Sequence, residues 1–307
     1  MKVLIYGSRA WIGGKVVDEF RKNDIEVVEG NVRVDNVSDL EREILTVRPT
    51  HIVSTIGRTH GTYNDRVYGT IDYLEQPGKL VENVRDNLFS PVVLAIMGKK
   101  YGCHVTILST GCIYTYDEDH PYEQEVCGFK EYEKPNFFGS GYSTVKGFTD
   151  QLLNLFDDSV LSLRIRMPIT SEKNNSRNFI YKITHYEKIC SIKNSMTVLD
   201  ELIPNMCDAI QRSYVGPINF TNPGLISHNE ILEMYREIVD PNFEWNNFTI
   251  DEQNAVLDSG RSNNFMDTLR LEELYPDVLP IKDSVRMILM KMANSSNIDE
   301  NLENENV

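Results

Sequence analysis

The chain has 307 residues, enough to bury a large core as one α/β domain, or as one domain with a smaller appendage, without help from disulfides or metal. Its 31 Lys and Arg against 46 Asp and Glu give a net charge of −15, which argues against nucleic acid and anionic membrane as partners and means that a phosphate-bearing ligand needs a local donor site. Cys103, Cys112, Cys127, Cys190 and Cys207 are odd in number and lack paired or zinc-type spacing, so neither a disulfide framework nor a metal site is expected.

The first residues, "KVLIYG", already read as a strand. With no basic, apolar leader and no stretch long enough for a bilayer, they lead us to expect a soluble cytoplasmic protein. Short β-rich runs then alternate with helical patterns: "IEVVEG" with "VSDLEREILTVRP", "THIVSTIG" with "LVENVRDNLFSPVVLAIMGKKYG", "HVTILST" with "YSTVKGFTDQLLNLF", and finally "VLSLRIRMPI". Strands apolar on both faces that alternate with helices predict an α/β fold with a doubly wound parallel sheet, whose ligands sit beyond the strands' carboxyl ends. We expect a dinucleotide-binding domain over residues 1–169, a mainly substrate-binding region over 170–293 with segments that return to the core, and a disordered acidic tail over 294–307. Three long connections, 57–79, 113–141 and 170–195, follow strands at the ligand edge and are expected to build the substrate pocket.

"GSRAWIGG" follows the first strand and opens the first helix, where small residues let the backbone approach a pyrophosphate. The G-x-G-x-x-G fingerprint is absent, but Gly7, Ala10 and Gly13 fit a G-x-x-G-x-x-G spacing with alanine in the middle. The candidate cofactor turn is therefore Gly7, Ser8, Arg9, Ala10, Trp11, Ile12 and Gly13. At the end of the second strand Glu29 can hold a ribose 2′-hydroxyl, whereas Asn31, Arg33 and Arg9 can embrace a 2′-phosphate. NADPH is the expectation, with NADH as the alternative.

In "GYSTVK", Tyr142 and Lys146 are four apart at a helix start and share a face. A lysine there can lower a tyrosine's pKa and hold a nicotinamide ribose, which makes a proton donor for a carbonyl that receives hydride. "STGCIY" adds Thr110 as a second hydroxyl and Cys112 as a thiol at the mouth of a buried strand, with Ser109 expected to be structural.

Thr110, Tyr142 and Lys146 form the Ser/Thr, Tyr, Lys set of the extended short-chain dehydrogenase/reductases, which the sequence resembles over its ordered length. The resemblance implies their Rossmann fold, and adds Thr55, Gly57 and Pro168 to the cofactor contacts. Family members that dehydrate sugar nucleotides carry Asp-Glu after the catalytic threonine; Gly111 and Cys112 stand here instead, which argues against dehydration. "NFFGSGYSTVK", "RIRMPITSEKNNSRNFIYKI", "NSMTVLDELIP", "NFTNPGLISHNEILEMY" and "RSNNFMD" resemble the plant and giant-virus UDP-4-keto-6-deoxyglucose 3,5-epimerase/4-reductases of UDP-rhamnose synthesis. That resemblance implies a nucleotide-sugar substrate, Cys112 and Lys182 as the acid–base pair of epimerisation with His185 in reserve, and sugar-diphosphate contacts from Asn178 and Arg261. It also favours UDP over dTDP, which no residue pattern distinguishes. A reductase without epimerase activity and a non-catalytic nucleotide-binding subunit are the alternatives; oligomeric state is not legible, with a homodimer as the candidate.

Overall fold

Val3, Leu4, Ile5 and Tyr6 are all buried, so the first strand has no solvent face and belongs in the middle of a sheet covered on both sides. A computed structural model, describing residues 1–122 and 126–304 with only the backbone of 295–304, shows that arrangement. In chain order, β1 (Lys2–Tyr6) leads to α1 (Trp11–Lys22), β2 (Glu26–Glu29), α2 (Val37–Val47) and β3 (His51–Ser54). A small hairpin, β4 (Gly61–Tyr63) and β5 (Arg66–Tyr68), precedes α3 (Leu80–Val84) and α4 (Ser90–Tyr101), which are joined by a wider π-type stretch at Arg85–Phe89. Next come β6 (His104–Thr110), α5 (Gly141–Leu153), β7 (Val160–Ile165), β8 (Pro168–Ile169), α6 (Phe179–His185), β9 (Thr197–Val198) and α7 (Leu199–Gln211). The chain closes with β10 (Gly216–Asn219), α8 (His228–Ile238), α9 (Ile250–Val256), α10 (Leu269–Leu274) and α11 (Ile281–Asn304).

The main sheet has six parallel strands in the order β10-β7-β6-β3-β1-β2. The order reverses between β1 and β3, so the turns that leave these two strands open a crevice at their carboxyl ends, the place where such sheets take ligands. One core packs α1 and α7 against the sheet through Val16, Phe20, Leu202 and Met206; another packs α2 and α4 on the opposite face through Leu40, Ile44, Leu94 and Met97. A third core lies wholly beyond residue 168, built from Ile169, Ile180, Ile183, Val198, Ile231 and Leu289 among others. β10 nevertheless completes the main sheet, so the later part of the chain serves both layers.

Arg164 ties the layers together at the strand ends. Its buried guanidinium forks onto Asp150 of α5 at 2.8 Å twice and reaches Asn219 of β10 at 3.3 Å.

Two expectations read differently in the structure. The connection at 57–79 is not irregular throughout: Asn64 and Asp65, with φ of 47° and 61°, make the two-residue turn whose twist suits a hairpin. The backbone of α11 continues to Asn304, where polar composition led us to expect loss of order from residue 294; no Gly or Pro interrupts that stretch. The side chains of 295–304 and all of 305–307 lie outside the described residues.

Candidate active site

The turn after β1 is shaped by two glycines. Gly7 sits at φ 87°, and a Cβ on Gly13 would stand 2.1 Å from the Gly7 carbonyl oxygen and 2.6 Å from Thr55 Oγ1. Thr55 donates its hydroxyl to that same carbonyl at 3.1 Å, which draws the ends of β1 and β3 together. α1 begins after Ala10 with no side-chain cap and no acidic residue in its first turn, so its leading N–H groups remain for an anion. Beside Gly57, the buried Asn87 of the π-type stretch clamps Arg58, accepting its N–H at 3.0 Å and donating to its carbonyl at 2.9 Å.

The turn's side chains are less uniform than their candidacy implied. Trp11 at the start of α1 turns its indole N–H to Glu172 at 2.6 Å, and Lys15 reaches the same carboxylate at 2.6 Å, so this pair clasps the loop after β8. Ser8 is buried next to Glu29, whose carboxyl is held below its usual range by the Ser8 hydroxyl and by Arg21 at 2.8 Å. Asn31 and Arg33 line a hollow of about 620 Å³ with Asn36 and Ser38, and Arg33 is paired with Asp35 at 2.9 Å. Pro168 lies just past Met167, whose φ of 40° marks a forced bend where the chain leaves β7.

The hydroxyl, phenol and thiol do meet. Thr110 Oγ1 accepts the N–H of Cys112 at 3.0 Å and is hydrogen-bonded to Tyr142. Tyr142 packs with Tyr73 and Leu74, and Cys112 lies against the same cluster together with Tyr63, Tyr68 and Ile71. Ser109 turns away, accepting the Ser162 hydroxyl at 2.8 Å, as its structural role requires. α5 starts here because Ser140 caps Ser143 N–H at 3.0 Å and Glu75 accepts Gly141 N–H at 2.7 Å; the long loop thus pins the helix that carries the phenol.

The expected effect of Lys146 on Tyr142 is not what the structure shows. Burial pushes the phenol well above its ordinary range, the charge of Cys112 adds to this, and Thr110 opposes it. Lys146 is itself buried, which brings its ammonium down to about 8, and it makes no hydrogen bond or ion pair among the described residues. A buried lysine without a partner and a glycine-built anion cradle on the same sheet edge fit a nicotinamide cofactor, whose ribose hydroxyls Lys146 would hold. When bound, that cofactor supplies the hydride.

A second cluster brings Arg58, His60, Arg177 and Lys182 together, with Arg58 paired to Asp86 at 3.0 Å. His60 is brought down to about 4, first by burial and then by Arg177, Arg58 and Lys182. Lys182 is lowered by burial, then by Arg177 and Arg261, and its Nζ donates to the Gly69 carbonyl at 3.2 Å. Arg58, His60 and Arg177 were missed by sequence reasoning; their signal was two basic residues just after the third strand and one just before Asn178.

Asn178, expected to touch the sugar diphosphate, has its amide engaged by the backbone. Fully buried, it caps α6 and spends its amide on Thr170 and Glu172 carbonyls at 2.9 and 2.8 Å. Arg261 is paired with Asp72 and Ser259 rather than standing free. His185 is exposed, stacked on Tyr181 at 3.9 Å and bonded to the Tyr181 carbonyl at 2.8 Å, which leaves Lys182 as the α6 group turned toward the site. Ser262 and Asn264 of "RSNNFMD", also missed, are buried braces beneath Gly111.

No protein-family model matches the chain. It is 50% identical over 292 residues to protein L780 of Acanthamoeba polyphaga mimivirus, covering 95% of this chain and 99% of that one. The crystal structure titled L780 UDP-rhamnose synthase superposes with a TM-score of 0.90 over the same shares. An Arabidopsis thaliana bifunctional dTDP-4-dehydrorhamnose 3,5-epimerase/reductase is 41% identical, covering 92% of this chain and 90% of that protein. An Arabidopsis trifunctional UDP-glucose 4,6-dehydratase, 3,5-epimerase and reductase is 44% identical over 93% of this chain, which spans only 41% of that longer protein.

Proposed function

The chain belongs to the nucleotide-sugar 3,5-epimerase/4-reductases of rhamnose synthesis, within the extended short-chain dehydrogenase/reductases, and from that premise we propose that it converts UDP-4-keto-6-deoxyglucose to UDP-L-rhamnose with NADPH. The observation that carries the reading is the meeting of Thr110, Tyr142 and Cys112 at the carboxyl end of β6.

A 4-keto sugar whose carbonyl oxygen accepts hydrogen bonds from Tyr142 and Thr110 has acidified hydrogens on both neighbouring carbons. Removing one places the C–H electron pair on that oxygen as an enolate, which the two donors stabilise. A phenol held protonated by burial suits that task. Cys112 on one face and Lys182 on the other take and return the protons at C3 and C5; burial lowers the Lys182 ammonium toward a range where it exchanges protons. Tyr142 later delivers its proton to the C4 oxygen as hydride reaches the carbon, so one donor pair serves both steps.

Arg177, with Arg58 and the neutral His60 as neighbouring donors, takes the diphosphate, and residues 170–293 supply most of the substrate-binding region. NADPH is favoured over NADH because Arg33 lines the hollow after β2 while Glu29 is offset by Arg21 and by the charge of Arg9. UDP is favoured over dTDP by the higher identity to the viral relative. A reductase without epimerase activity would leave Cys112 without a task.

The test is a reaction of purified protein with UDP-4-keto-6-deoxyglucose and NADPH in deuterated water, with the product analysed by NMR. UDP-rhamnose carrying deuterium at C3 and C5 is expected. An unepimerised 6-deoxy sugar that retains both ring protons would overturn the proposal.

A further inference from the structure

Two arginines, two residues apart on β7 and its exit, are both fully buried, and only one has its counter-charge. Arg164 forks onto Asp150. Among the described residues Arg166 meets no carboxylate: Nη1 donates to the Gly111 carbonyl and Ser262 Oγ at 3.0 Å each, and Nη2 donates to Asn194 Oδ1 at 2.8 Å and the Ser262 carbonyl at 3.0 Å. Nε has no partner. An unpaired buried cation is costly, and hydrophobic packing or a paired ion would serve stability better.

Its placement gives it a use. Gly111 is the link between Thr110 and Cys112, and its peptide is gripped from both sides: its N–H donates to the Ile165 carbonyl at 3.0 Å, while its carbonyl accepts from Arg166 and, at 2.9 Å, from Asn264. No larger residue fits at that link, since a Cβ on Gly111 would stand 2.1 Å from Met266 Sδ and 3.0 Å from Arg166 Cδ. The ionisable groups that the guanidinium's charge reaches are Cys112 and Tyr116; Cys112 in turn faces Tyr142. In a poorly solvated site a positive charge acts strongly on a neighbouring thiol.

We propose that Arg166 is a positioning residue of the epimerisation: it fixes the Thr110–Gly111–Cys112 turn through the Gly111 carbonyl and places a buried positive charge beside the Cys112 side chain. Acting as a thiolate, Cys112 takes the proton from a carbon beside the ketone and becomes a thiol, while the C–H electron pair passes to the ketone oxygen held by Tyr142 and Thr110. This role rests on the proposed function, but the charge effect on Cys112 does not need a substrate to be seen.

The test compares iodoacetamide alkylation of Cys112 in the wild type, Arg166→Gln and Arg166→Lys at about pH 7.5, resolved by peptide mass spectrometry with the exposed Cys127 as internal reference. Arg166→Gln should slow Cys112 roughly tenfold, and Arg166→Lys, which keeps the charge, should stay within about threefold of the wild type. Ring-proton exchange should follow the same ranking. Equal rates in wild type and Arg166→Gln, or equal losses in both variants, would overturn the assignment. Should Arg166→Gln not fold, Arg166→Lys decides alone: a tenfold loss there would mean that shape, not charge, is what the site needs. A wild type that exchanges no ring protons would overturn the proposed function and leave the charge effect to be judged by alkylation.

Discussion

Lys146 is the clearest case of a residue whose energetics reveal its task. Its ammonium is buried without a partner and titrates at about 8 rather than near 10.5, so the folded chain releases a proton that the unfolded chain keeps between those values. Stability therefore rises with pH across that window, and below it the buried charge costs of the order of 3 kcal/mol. Lys146→Met should be more stable than the wild type at neutral pH, and denaturant titrations should show the difference closing by about pH 10.5; a constant difference would mean that the ammonium has a partner. Saturating NADPH should raise the wild type's melting temperature and Lys146→Met's much less. Lys182 shares the lowered pKa but has Gly69 as an acceptor, which fits a group that trades protons rather than one awaiting a ligand.

The elements carry the site by close approach. Gly13 of α1 lies so near the Gly7 carbonyl that Gly13→Ala must push the helix off the sheet, and we expect cofactor affinity to fall at least tenfold by titration calorimetry, with a lowered melting temperature. Unchanged affinity would show that the turn does not cradle the cofactor. At the opposite edge, His51 and His104 stand at the starts of the paired strands β3 and β6, rings 5.2 Å apart, both pulled below the ordinary histidine range by burial and His51 to about 4. The unfolded chain binds those protons near 6.5, so stability is fully present above that pH and is lost as pH falls toward 4. His51→Asn should flatten that acid limb in urea titrations; an unchanged limb would place the titration elsewhere. The six strands of the main sheet, α1 and α5 were legible because strand and helix periods are local; Thr110, Cys112 and Tyr142 stood out as candidates because they lie where a strand ends or a helix begins, and Lys146 because it lies one turn further along the same helix. Sequence alone does not separate the two uses of Asn178, because a cap and a ligand contact call for the same amide at a helix start; the structure shows the cap. Arg166 was invisible for the reverse reason: its partners Gly111, Asn194 and Ser262 come from remote stretches that only the fold brings together.

For the whole molecule, the formal charge of −15 coexists with a cleft where Arg58, His60, Arg177 and Lys182 sit within reach of one another. Such a cluster favours anions locally despite the acidic whole. Among the described residues no helix is long and apolar enough to cross a membrane. A different face is apolar: α3, α4 and α5 pack side by side and expose Val81, Val84, Ile96, Phe148 and Leu152. In the proposed reaction a single donor pair, Tyr142 and Thr110, activates the ketone for proton exchange and for reduction alike. The most direct measurement is on Tyr142→Phe, following deuterium entry at C3 and C5 without NADPH and, separately, hydride transfer to C4. Both rates should fall by roughly 10²-fold or more, whereas wild-type deuterium entry alongside lost reduction would show that the two steps do not share the phenol.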